Sequence, residues 1–163
     1  MKNLLLSSLL LLLVSMSCSS QNRTFNTVFD RYADRDGFVT VKLSNPPPGL
    51  LSDGDNDSDF TISSLRILTV KDDALNAKIN FYREIVPQLN RSGYEELLSV
   101  SNKNDKSILL CKKHNKVVTD VLFVSGGTNN VMIELNGKMS LAQAEKITSK
   151  LSNNNDDDES GDK

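Results

Sequence analysis

The chain has 163 residues, with 19 lysines and arginines against 21 aspartates and glutamates, a formal net charge of -2, and 38% hydrophobic and 6% aromatic residues. That near balance, with few aromatics beside the basic residues, argues against nucleic acid as a partner, and the length suits one domain with a single sizeable core. The charge is segregated: Asp53, Asp55, Asp57 and Asp59 crowd one loop and Asp156, Asp157, Asp158, Glu159 and Asp162 crowd the C-terminal stretch, leaving bases in excess over the rest.

Met1-Lys2-Asn3 is followed by an apolar run from Leu4 to Val14, broken only by Ser7 and Ser8, and then by Ser15-Met16-Ser17-Cys18. As a helix that run rises about 16 Å, roughly half of what a membrane-spanning helix must cross, so it reads as an export signal over residues 1–17 rather than a permanent span. Small residues before a cysteine fit lipoprotein processing, which would leave Cys18 acylated at the mature N-terminus. Ser15 stands where such signals usually carry Leu, and Ser15 and Ser17 also fit ordinary cleavage, the alternative being a soluble secreted or periplasmic protein. With acyl chains on Cys18 the protein would be held firmly on a bilayer, and residues 18–24 would form a short tether. Ser19 is not the Asp that commonly retains lipoproteins at the inner membrane, so the expected site is the periplasmic face of the outer membrane.

Residues 25–151 read as one α+β domain. Phe25, Val28, Phe29 and Tyr32 make one stripe of a short helix that Gly37 can end, and Phe38 to Leu43 alternates as a strand. Residues 44–63, with Pro46-Pro47-Pro48-Gly49 and the four alternating aspartates, form a polar acidic loop. Leu65 to Val70 is a second strand. Asp72 or Asp73 then caps a helix in which Leu75, Ile79, Tyr82, Val86 and Leu89 form the apolar stripe, closed by Pro87 and Asn90-Arg91-Ser92-Gly93.

Four further strands are predicted near Tyr94–Ser101, Lys106–Lys112, Val117–Ser125 and Asn130–Leu135, joined by short turns that imply an antiparallel meander. Ser140 with Gln143 makes a capping box for a last helix with Leu141, Ala144, Ile147 and Leu151 on its core face. The expected fold is α+β: a single, mostly antiparallel sheet of five to six strands with two or three helices packed on one face. Residues 152–163 read as a disordered acidic tail.

The segments Phe29-Asp30-Arg31-Tyr32-Ala33-Asp34-Arg35-Asp36-Gly37-Phe38, Leu65-Arg66-Ile67-Leu68, Gly93-Tyr94-Glu95-Glu96-Leu97 and Val124-Ser125-Gly126-Gly127 resemble, in order and spacing, the small Bacteroidetes lipoproteins grouped as domain of unknown function 4252. The resemblance spans most of residues 25–151 and implies an exported protein with a lipid-bearing cysteine, no assigned enzyme activity and no catalytic residues to carry over. The chain departs from that pattern after its first strand, where Pro46 to Asp59 is polar rather than apolar and partly helical.

Candidate sites are few. Lys112, Lys113 and Lys116, with Lys103 and Lys106 nearby in sequence, offer a basic surface for anionic lipid head groups or an envelope protein. Asp53, Asp55, Asp57 and Asp59 alternate as calcium ligands do, but the sixth place from Asp53 is Ser58 and the twelfth Ser64, so a solvated loop is expected rather than a metal site. Cys111, inside Ile108-Leu109-Leu110-Cys111, reads as a buried thiol, and the sole histidine, His114, falls in a turn on the other side of the strand. An enzyme built on Cys111 and His114 is the alternative to a non-enzymatic, membrane-tethered binding, sensing or structural module, as is a lipid or head-group binding protein. No cofactor is indicated.

Overall fold

The computed structural model describes residues 22–47 and 60–153. The export signal, Cys18, the acids Asp53, Asp55, Asp57 and Asp59, and residues 154–163 lie outside the described residues. The elements run α1 (Arg23–Tyr32), β1 (Phe38–Ser44), β2 (Thr61–Val70), α2 (Asp73–Asn76), α3 (Phe81–Ile85) continuing into a 3-10 turn (Val86–Gln88), β3 (Tyr94–Ser101), β4 (Lys106–His114), β5 (Val117–Gly126), β6 (Val131–Met139) and α4 (Leu141–Asn153).

All six strands form one antiparallel sheet in the order β1-β2-β6-β5-β4-β3. The last four make the expected meander, because each turn is too short for anything but reversal. Between β4 and β5 the turn residues Asn115 and Lys116 both take positive φ (49° and 70°), the twist that matches right-handed strands. The connection from β2 to β3 must instead travel from one side of the sheet to its far edge, and α2 and α3 carry it.

Both faces of the sheet are apolar. Strand alternation sends Leu68, Val70, Ile108, Leu110, Leu122, Val124 and Met132 to one side, where they meet Phe25, Val28 and Phe29 of α1 and Phe81 and Ile85 of α3. It sends Leu65, Leu109, Cys111, Val121, Phe123, Ile133 and Leu135 to the other, where Ala144 and Ile147 of α4 cover β5 and β6. Unbroken runs such as Ile108 to Cys111 are the sequence mark of a strand buried on two sides. The helices expected on one face are therefore α1 to α3, and α4 takes the opposite one. Its capping box is in place: the Ser140 amide donates to Gln143 Oε1 (2.6 Å) and the Gln143 amide to Ser140 Oγ (3.3 Å).

The single helix expected from Asp72 to Leu89 is two. Asp72 does cap the first, accepting from the Leu75 amide at 2.8 Å. The second begins at Asn80, whose side chain accepts from the Arg83 amide at 2.9 Å. The break is held by a tertiary clamp: Asn130, wholly buried at the start of β6, accepts from the Phe81 amide (2.9 Å) and donates to Asn76 Oδ1 (2.7 Å) and to the Asn76 and Gly127 carbonyls (3.3 Å each). The interruption turns Phe81 and Ile85 into the core, while Leu75, Ile79 and Tyr82 are only partly buried. Similarly, α1 ends before Gly37, at Ala33, and Asp34 takes the first left-handed residue (φ 61°). Gly37 (φ 82°) serves the turn into β1, where a Cβ would come within 2.5 Å of Leu75 Cδ1.

Candidate functional site

A part-buried cluster of charged and polar side chains lies where α1 crosses β2 and β6. Arg66 on β2 and Glu134 on β6 are paired in register, and Arg66 Nε donates to Glu134 Oε2 at 2.7 Å while its Nη2 reaches both Glu134 and Asn26 Oδ1. The guanidinium lies 5.5 Å from the Phe25 ring centroid and 5.0 Å from that of Phe29. Glu134, with a side chain 9% exposed, has its buried charge compensated by this cation. The cluster fixes α1 on the sheet.

On its outer side α1 leaves a groove of about 260 Å³ against α3 and the 3-10 turn. Arg23, Thr27 and Arg31 stand four residues apart along one wall, and Glu84 and Gln88 along the other, over a floor of Val28. The two ends are tied. Thr24 Oγ1 donates to the Gln88 carbonyl at 2.9 Å, and Arg31 donates to Glu84 at 3.1 Å, a carboxylate that also accepts from the Tyr32 hydroxyl at 3.1 Å. Asn22 opens α1 without capping it: its Nδ2 donates to the Asn90 carbonyl at 3.2 Å, and its Oδ1 is buried with no partner. The Arg23 side chain makes no hydrogen bond or ion pair among the described residues. The periodicity of Arg23, Thr27 and Arg31 is visible in the sequence beside the apolar stripe. Their opposite wall is not, since Glu84 and Gln88 arrive only through the tertiary fold.

The lysines do not form one patch. Lys103 and Lys106 sit at the end of β4 away from Lys112, Lys113 and Lys116, about 20 Å off along the strand. Lys112 and Lys113 leave opposite faces: Lys112 Nζ lies 4.5 Å from the Tyr94 ring centroid, on the α1 side, whereas Lys113 pairs with Glu95 at 2.6 Å on the α4 side. Glu95 holds the Lys113 ammonium above its ordinary pKa. Burial pushes the Tyr94 hydroxyl up, and the charges of Asp120 and Glu134 add to it.

Cys111 and His114 are not brought together. The Cys111 thiol is fully enclosed on the α4 side, and burial raises its pKa, which disfavours the thiolate a nucleophile needs. His114 points to the other side by alternation, is exposed, and touches Asn115 Nδ2 at 3.3 Å. Among the described residues no group of three or more His, Cys, Asp or Glu side chains is placed to hold a metal ion, and no helix is long and apolar enough to cross a membrane.

One antiparallel sheet with helices on both faces, carrying a polar groove beside its first helix, defines the class as a single-sheet α+β domain. The chain belongs to the family described as domain of unknown function DUF4252, whose model matches residues 32–147. No curated protein and no solved structure matches it.

Proposed function

We propose that the chain is a non-enzymatic cell-envelope lipoprotein: a small α+β module tethered through acyl chains on Cys18 to the periplasmic face of the outer membrane, where it binds another envelope component. The observation that carries this reading is the N-terminal pattern, a lysine, a short apolar run and small residues ending at Cys18. The domain supports it from the other side. Its first helix begins at Arg23, so four residue steps separate Cys18 from Asn22, a span of at most about 14 Å, and the α1 end of the domain lies against the bilayer.

Fractionation of cells expressing the native chain and Cys18→Ser tests it. The native chain stays with membranes through a high-salt wash and enters the detergent phase, and Cys18→Ser moves to the soluble fraction. Equal partitioning of the two would overturn the anchor.

A further inference from the structure

We infer that the groove between α1 and α3 is an oxyanion site that takes the phosphodiester of a glycerophospholipid head group, with Arg23 as its clamp. This rests on the tethered reading above for the source of the lipid, and on the groove itself for the chemistry.

The charges in the groove select the ligand. Arg31 is neutralised by Glu84 at 3.1 Å, so Arg23, without a partner among the described residues, supplies a net single positive charge. A monoanion balances that charge, and a phosphodiester is one. A guanidinium offers parallel N–H donors that match two oxygens of such a group. Asn22 leaves the first turn of α1 without a side-chain cap, so the positive end of the helix dipole adds to the field beside Arg23.

Thr27, one helical turn on, presents a hydroxyl for a second ligand oxygen or a glycerol hydroxyl, while the exposed Gln88 amide on the facing wall is already turned to the Glu84 carbonyl at 3.3 Å. At about 260 Å³ the groove is smaller than the roughly 300–1,000 Å³ of drug-sized sites and fits a head group, not an acyl chain. Its Arg23 end adjoins Asn22, where the tether enters, so a bilayer held through Cys18 would present its phosphodiesters there.

The test is an NMR titration of the full exported chain carrying Cys18→Ser, which binds no membrane by acylation. The probes are dihexanoyl-phosphatidylglycerol below its micellar concentration, inorganic phosphate, and dihexanoyl-glycerol as an uncharged control. Saturable shifts of the Thr27 amide and the Arg23 side chain with the phospholipid, absent with the uncharged control, support the site. Arg23→Gln should weaken binding about tenfold or more, and Arg23→Lys less, because Lys keeps the charge and loses the two-pronged geometry. Thr27→Ala, which removes one hydroxyl from an exposed wall, is the second variant and should weaken binding with the spectrum otherwise intact. Shifts with inorganic phosphate alone would overturn the lipid assignment. No saturable shift at Thr27, or undiminished binding by Arg23→Gln, would overturn the site. Neither result depends on the state of Cys18, which fractionation of the native chain reads separately.

Discussion

Replacing Asn130 by Ala should be among the most damaging single changes in the domain. Its side chain makes four hydrogen bonds from a position with no solvent exposure, and they bind the start of β6 to both halves of the interrupted helical connection. The groups it leaves behind are unequal. Asn76 is partly exposed and its freed oxygens can turn to water, but the Phe81 amide lies at a residue with 0% exposure and loses its only acceptor.

An orphaned buried donor costs about 1–3 kcal/mol, and each satisfied bond that is lost adds about 0.5–1.5 kcal/mol before water repays the exposed ones, so a net loss of about 3 kcal/mol is expected. That is a large part of a typical stability of about 5–15 kcal/mol. In urea it appears as a midpoint lowered by about 1–2 M at constant slope. Asn76→Ala, which removes only the half-exposed partner, should cost about 1 kcal/mol. A loss below about 1 kcal/mol for Asn130→Ala would show that the Phe81 amide is not buried against this acceptor and would refute the clamp.

Three other outcomes follow from the same geometry. Arg66→Met leaves Glu134 buried and uncompensated and should cost about 3 kcal/mol or more by urea denaturation, while the double change Arg66→Met with Glu134→Leu should recover most of it; equal losses in both would contradict the pairing. Cys111 should resist a thiol reagent in native buffer and react fully in denaturant, since its side chain is enclosed; fast labelling of the folded protein would contradict that. Asp105 accepts from the Thr128 amide at 2.6 Å, which holds its carboxyl below the ordinary carboxylate range. With the folded pKa depressed, the clasp is fully present above the unfolded value and is lost as pH falls through the folded one. NMR titration should give an Asp105 midpoint below that of free aspartate, with the Thr128 amide following it; a midpoint at or above the free value would contradict the bond.

The sequence announced most elements because their signals are local. Alternation in β1 and the 3-and-4 spacing of Phe25, Val28, Phe29 and Tyr32 need no tertiary information, and neither does the Ser140–Gln143 box. What misled was long-range. The stripe from Leu75 to Leu89 is regular enough for one helix, yet Asn130, some fifty residues away, captures the Phe81 amide and splits it, replacing Tyr82 and Ile79 by Phe81 and Ile85 in the core.

β2 begins at Thr61, earlier than the apolar run suggests, because only Ile62 of its first turn points inward and a bulge between Ile62 and Ser64 shifts the register. The lysines looked like a cluster because they are close in sequence, and strand geometry separates them along β4 and across its faces. The groove beside α1 was half legible: Arg23, Thr27 and Arg31 show their spacing, but Glu84, which decides that only Arg23 is left free, comes from another helix.

The anchor is the claim on which the tethered reading depends most, and mass spectrometry of the mature N-terminal peptide measures it directly. Trypsin cuts after Arg23, so the peptide Cys18-Ser19-Ser20-Gln21-Asn22-Arg23 should appear with a mass increased by acyl chains and a glyceryl group on the cysteine. A peptide beginning at Cys18 or at any other residue without added acyl mass would contradict it.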